Sequence, residues 1–171
     1  MTNTPVEIAE LGAPVMIEEY EMVPDSGGAG MFRGALAQVR KIRCLADEAI
    51  LQVRSDKRRY PPFGLSGGKP GTSSLNVLNP GPQEELLPTL AVRSIRRGDV
   101  FSHRLAGGGG WGDPLDRDPE LVRIDVWNEK ISSEYAYREY GVVMHDPPFQ
   151  VDLERTKRVR QDMKKIRGIK A

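Results

Sequence analysis

Four glycines in a row, Gly107, Gly108, Gly109 and Gly110, stand directly before Trp111 in RLAGGGGWGDP, residues 104–114. Four residues of backbone without side chains have two uses. One chain segment can pass close to another, with the tryptophan as a packing anchor, or successive amides can cradle an anion as a nest. The run matches neither the dinucleotide fingerprint G-x-G-x-x-G nor the phosphate loop. No G-K-[ST] follows it, and a helix begins only near Pro119. Both uses stay open, and Asp113 is the polar group beside the run that a ligand would meet.

Composition limits the rest. With 171 residues, 39% hydrophobic and 29% charged, the chain suits one globular domain with a core and lacks the signature of disorder. A net charge of +1 supplies no global field for nucleic acid or a membrane surface. The single cysteine, Cys44, excludes an internal disulfide and a multi-cysteine zinc site, and within its strand pattern it reads as a small buried hydrophobe. No signal peptide or membrane span is expected, because no basic start precedes an apolar core and no run reaches about 18 apolar residues. A cytoplasmic protein follows. The 18 glycines and 13 prolines imply many tight turns.

Patterning predicts a mainly β chain with α (α+β): a Gly/Pro-rich β-sheet domain followed by two short helices and a C-terminal basic helix. Residues 14–23 read as a strand with Val15, Ile17 and Tyr20 inward, ending in PDSGGAG, where Gly27, Gly28 and Gly30 can take positive φ. Residues 36–46, with Val39, Ile42 and Leu45 apolar, and AILQVRS after the acidic break Asp47-Glu48 read as a hairpin. Residues 57–83 are too rich in proline and glycine for long regular elements. LAVRSI and DVFSHRLA add two strands joined through RRGD. Beyond the glycine run, Asp118 caps a helix with Pro119 at N1 that runs to Trp127. Ser132 or Ser133 caps another through Tyr140, with Gly141 at its end. GVVMHDPPF is extended and broken by Pro147-Pro148. Residues 152–167 form a basic amphipathic helix with Leu153, Val159, Met163 and Ile166 as its apolar positions.

Candidate chemistry is sparse. Arg54, Lys57, Arg58 and Arg59 with Asp56 form a compact charged cluster, suited to interface pairing or to a small anion. Nucleic acid is disfavoured there, since aromatics are not interleaved in an RNA-binding pattern. Lys69, in GLSGGKPG, could pair with a carboxylate or phosphate or stay solvated. His103 and His145 have no metal-ligand spacing, so no metal site is assigned. Ser26 lies in DSGG, but Pro24 precedes Asp25 and no triad can be assembled around it.

Several longer motifs occur in a fixed order: NTPVE, PDSGGAGMFRGALAQVR, SDKRRYPPFGLSGGKPG, NVLNPG, LAGGGGWGDPLDRDPELV and EYGVV. In these the chain resembles the C-terminal portion of the hydantoinase B family, which includes 5-oxoprolinase and subunits of acetone and acetophenone carboxylases. The resemblance covers residues 1 to about 143. It implies a hydantoinase B C-terminal-like domain over residues 1–146 and a basic helical tail over 147–171. Full-length members are several times longer, which implies a small subunit or a fragment. The resemblance further implies two partners, a hydantoinase A-type ATP-binding subunit and the remaining B-type polypeptide, in a complex that opens cyclic amides or carboxylates ketones with ATP. No cofactor is expected on this chain. ATP and a divalent metal are expected in partner subunits, with the metal-binding histidines and acids in the B-type region that this chain lacks. No catalytic residue carries over. The rival readings are a noncatalytic assembly module and a binder of acidic partners through the basic tail.

Overall fold

The computed structural model describes residues 4–145 and 149–168. The chain divides into two compact units, one of residues up to 22, 38–60 and 73–106, the other of residues 23–37, 61–72 and from 107 onward.

The first unit is β-rich. A seven-residue helix that the sequence reading missed, α1 (Val6–Gly12), precedes β1 (Val15–Val23). Then come β2 (Ala37–Cys44), β3 (Glu48–Arg54), β4 (Leu75–Leu78), β5 (Glu85–Leu86), β6 (Leu90–Arg96) and β7 (Val100–Arg104). A five-stranded sheet has the order β1-β2-β7-β4-β5, and β3 pairs only with β6. The expected hairpin of β2 and β3 is therefore wrong. β2 pairs antiparallel with β7, bringing Arg40 opposite His103, and β3 pairs antiparallel with β6, Glu48 opposite Arg96. Both short connections carry the chain from one sheet to the other. They are tied together by Cys44 N–H to the Asp99 carbonyl at 2.8 Å and Gly98 N–H to the Cys44 carbonyl at 2.9 Å. Alternation marks a strand but does not name its partner. Val53, Leu78 and Leu87 are buried, and Leu51, Ala91, Ile95 and Phe101 pack on them, so the β3-β6 ladder covers the larger sheet. Val15 and Ile17 are partly covered as expected; Tyr20 is not, being 36% exposed with the Arg40 guanidinium 4.3 Å from its ring centre.

The second unit carries the helices. α2 (Pro119–Trp127) begins where the sequence placed it, because the Asp118 carboxylate accepts from Glu120 N–H and Pro119 needs no donor partner. In α3 (Ser133–Tyr140) the Ser132 hydroxyl accepts from Tyr135 N–H, and Gly141 closes the helix at φ 62°. Val122, Val126, Ile131, Ala136, Tyr140 and Val142 form the core of this unit. The Tyr135 hydroxyl donates to the Gly27 carbonyl at 2.9 Å in a buried position, and burial raises its pKa; burial likewise pushes Tyr140 up to about 12. Tyr135→Phe should cost about 1 kcal/mol, read as a lower denaturation midpoint at unchanged slope.

A short ladder of β8 (Met144–His145) and β9 (Gln150–Val151) leads to α4 (Leu153–Gly168). The expected break at Pro147-Pro148 lies outside the described residues. α4 is basic as expected, but its inward face is not the expected stripe: Leu153 and Ile166 are 66% and 71% exposed. Polar groups anchor it instead. The buried Thr156 hydroxyl accepts from Val143 N–H at 3.0 Å, and Arg160 donates to the Tyr140 carbonyl at 2.9 Å and the Arg117 carbonyl at 2.8 Å.

Candidate functional site

The glycine run lies in the second unit, where three extended glycine-rich segments, 26–35, 62–72 and 107–112, bond to one another through backbone. Gly107 N–H donates to the Thr72 carbonyl at 3.0 Å, Gly108 N–H to Ala35 at 2.8 Å and Gly110 N–H to Lys69 at 2.9 Å. In return, Gly28 N–H reaches the Gly108 carbonyl at 2.8 Å and Leu65 N–H the Gly110 carbonyl at 2.9 Å. A side-chain carbon on Gly107, Gly109 or Gly110 would overlap the carbonyl of Ser26, Phe63 or Ala29 respectively, and one on Gly108 would stand 2.9 Å from Ala35 N. Three of the four amides are thus engaged within the chain, which favours the close crossing over an anion nest.

The same crowding corrects the expected use of Gly27, Gly28 and Gly30. None has positive φ; a Cβ on them would strike Gly34, Lys69 or Trp111 backbone. The left-handed residue of that turn is Asp25, at φ 59°. Its carboxylate accepts from Ser132 N–H at 2.7 Å. Ser26 is buried as a structural hydroxyl, donating to the Val23 carbonyl at 2.5 Å and accepting from Ala37 N–H at 2.7 Å.

Lys69 pairs with Glu139. Burial pushes the Glu139 carboxyl up, but hydrogen bonds from Lys69 and Arg138 outweigh it and hold the group below the usual range. Asp113 caps a 3-10 turn at residues 114–116 and accepts from Arg167 at 2.9 Å. Both polar groups beside the glycine segments therefore have partners inside the chain.

Sequence reasoning missed Asp125. This carboxylate on α2, 4% exposed, takes Arg33 Nε at 3.1 Å and Arg117 Nη2 at 2.9 Å on one oxygen. The two arginines also brace the segment around them, Arg33 donating to the Gly34 carbonyl at 2.8 Å and Arg117 to Met31 at 3.0 Å.

Arg58 and Arg59 lie in the first unit, in a cleft of about 560 Å³ formed by residues 55–60 with Pro88 and Thr89. Buried polar groups hold the cleft in place. Ser74 N–H donates to the Lys57 carbonyl at 3.2 Å and its hydroxyl to the Asp56 carbonyl. Asn76 Nδ2 donates to Ser55 Oγ at 2.7 Å and to the Pro88 carbonyl at 3.3 Å. That leaves Asn76 Oδ1 to meet His103 Nδ1 at 2.6 Å, so Nδ1 carries the proton. Burial, helped by the nearby Arg40 charge, lowers the His103 pKa and favours this neutral form. His145 instead lies 3.5 Å from Asp152 in the second unit. Among the described residues no group of three or more His, Cys, Asp or Glu is placed to hold a metal ion, so the residues present do not fit a divalent metal centre.

The hydantoinase B/oxoprolinase family model matches residues 1–114, two thirds of the chain. The chain belongs to the hydantoinase B/oxoprolinase family. It is 32% identical over 162 residues to the B-type component of a D-/L-hydantoinase from Pseudomonas sp. strain NS671, covering 93% of this chain and 27% of that protein. The fold is that of an acetone carboxylase solved nucleotide-free, with TM-score 0.82 at 21% identity over 98% of this chain and 27% of the other. An ATP-dependent caprolactamase from Pseudomonas jessenii superimposes with TM-score 0.75 at 28% identity over 92% of this chain and 28% of that chain. The chain thus spans about a quarter of the length of the family members it matches. No helix among the described residues is long and apolar enough to cross a membrane.

Proposed function

We propose that this chain acts as the C-terminal portion of the B-type component in an ATP-dependent, multi-subunit enzyme that opens a cyclic amide or carboxylates a ketone. The observation that carries the reading is the family match over two thirds of a chain that spans only about a quarter of its relatives. An A-type ATP-binding subunit and the rest of the B-type polypeptide are the proposed partners, and they would hold ATP and the divalent metal. The glycine-rich segments in this chain give their amides to one another rather than to a phosphate. A noncatalytic assembly role is the second reading, favoured by the internal partners of Lys69 and Asp113.

Two outcomes are expected. Purified alone, the chain should neither hydrolyse ATP nor turn over a hydantoin or ketone. Recovered from its native source, it should travel with larger subunits identifiable by mass spectrometry, and adding them should give ATP hydrolysis that depends on the organic substrate. Turnover by the chain alone, or a monodisperse monomer without partners, overturns the proposal. A complex that keeps full activity without this chain establishes the assembly role instead.

A further inference from the structure

We propose that the cleft of residues 55–60 with Pro88 and Thr89 binds a small-molecule oxyanion, carboxylate or phosphate, through the guanidinium groups of Arg58 and Arg59. This goes beyond the assembly reading and does not depend on it. Arg58 Nη1 is buried and has no hydrogen-bond partner within the chain. A buried charged donor without an acceptor is costly, and an oxyanion in the cleft would supply the missing acceptor with the two-oxygen geometry that a guanidinium fork matches.

The charge around it is also left open. Among the described residues, none of Lys57, Arg58 and Arg59 forms an ion pair, although Asp56 lies in the same cleft. Elsewhere in this unit Lys41 pairs with Glu19, Arg43 with Glu18, Arg93 with Glu85 and Arg97 with Asp47. Carboxylates are therefore plentiful in the unit, yet three cations of the cleft are left for something else. Arg59 stacks 5.4 Å from the Tyr60 ring centre, which fixes the plane of its guanidinium.

The backbone under these side chains is preorganised. Lys57 sits at φ 59°, a conformation a lysine rarely adopts, and the Ser74 bonds to the carbonyls of Asp56 and Lys57 hold it there. Ser55 N–H is bound to the Thr89 carbonyl at 2.8 Å, so the two chain stretches that form the cleft are fastened to each other. Strain at a bound, cation-bearing turn is what a built site requires and a solvated surface loop does not.

The test uses the full chain with nitrogen-15 arginine side chains, titrated separately with inorganic phosphate and with glutarate at constant ionic strength. The Arg58 and Arg59 side-chain resonances should shift saturably, while those of Arg123, paired with Glu120 in the other unit, should stay still. Arg58→Gln should weaken binding about tenfold or more, and Arg58→Lys, which keeps the charge but loses the fork, should fall between. If Arg58→Gln does not fold, Arg59→Gln and Arg58→Lys carry the comparison. Saturation by phosphate alone or by glutarate alone assigns the class of oxyanion. Shifts that grow linearly and equally at Arg123, or an affinity unchanged by all three substitutions, overturn the proposal and leave the cluster as an interface for another polypeptide.

Discussion

Asp125→Ala is expected to lower the stability of the chain by about 3–5 kcal/mol. The carboxylate is 4% exposed, and its partners Arg33 and Arg117 are 15% and 12% exposed, so removing it strands two guanidinium groups away from water. Lys130, at 3.9 Å and 42% exposed, adds little. The damage should spread, because the same arginines hold the carbonyls of Gly34 and Met31. Asp125→Asn keeps the shape and one acceptor and should cost less. Replacing Asp125 and Arg33 together with Leu and Met should recover part of the loss, since a well-packed apolar pair can replace a buried ion pair at small cost. Urea denaturation with unchanged slope measures each variant. A loss under about 1 kcal/mol for Asp125→Ala would mean that the cluster is solvated in solution and contributes little.

Why that cluster escaped the sequence reading follows from distance along the chain. Arg33 and Asp125 are 92 residues apart, and nothing local couples them. One trace was present: an aspartate beside Val126 and one turn from Val122 falls on the buried stripe of α2, where an unpaired charge cannot stay. Local rules did better. The ends of α2 and α3 were legible because Asp118-Pro119, Ser132 and Gly141 act within one turn of themselves. Strand positions were legible and their partners were not, since β2 and β3 show the same alternation whether they pair with each other or with β7 and β6. In α4 the hydrophobic residues misled, because Thr156 and Arg160 fix the inward face through hydrogen bonds that periodicity does not see. The Arg58-Arg59 cluster stood out by composition; the buried, unpartnered Nη1 did not, being a property of the folded cleft.

The glycine run gives the other large effect. Gly109→Ala should destabilise the chain by about 3 kcal/mol, the upper end of ordinary overpacking, because the obstacle is the Phe63 carbonyl and not a side chain that can turn aside. Gly107→Ala and Gly110→Ala meet the Ser26 and Ala29 carbonyls and should behave alike, whereas Gly108→Ala, 2.9 Å from Ala35 N, should be milder. Gly12→Ala is the control: no atom lies within 4 Å of its added carbon, and its melting temperature should stay within about 1–2 °C of the parent. For a chain of this length each kcal/mol moves the midpoint by about 2–4 °C, so Gly109→Ala should melt about 6–12 °C lower. The cost is steric and not one of φ, as none of the four glycines has positive φ. Activity of the assembled enzyme should then fall only in proportion to folded material. If the amides served an anion, the ordering would reverse, with melting preserved and KM for substrate or affinity for phosphate impaired. The engaged amides of Gly107, Gly108 and Gly110 favour the steric outcome. An unchanged melting temperature for Gly109→Ala together with a large rise in KM would transfer the run from scaffold to site.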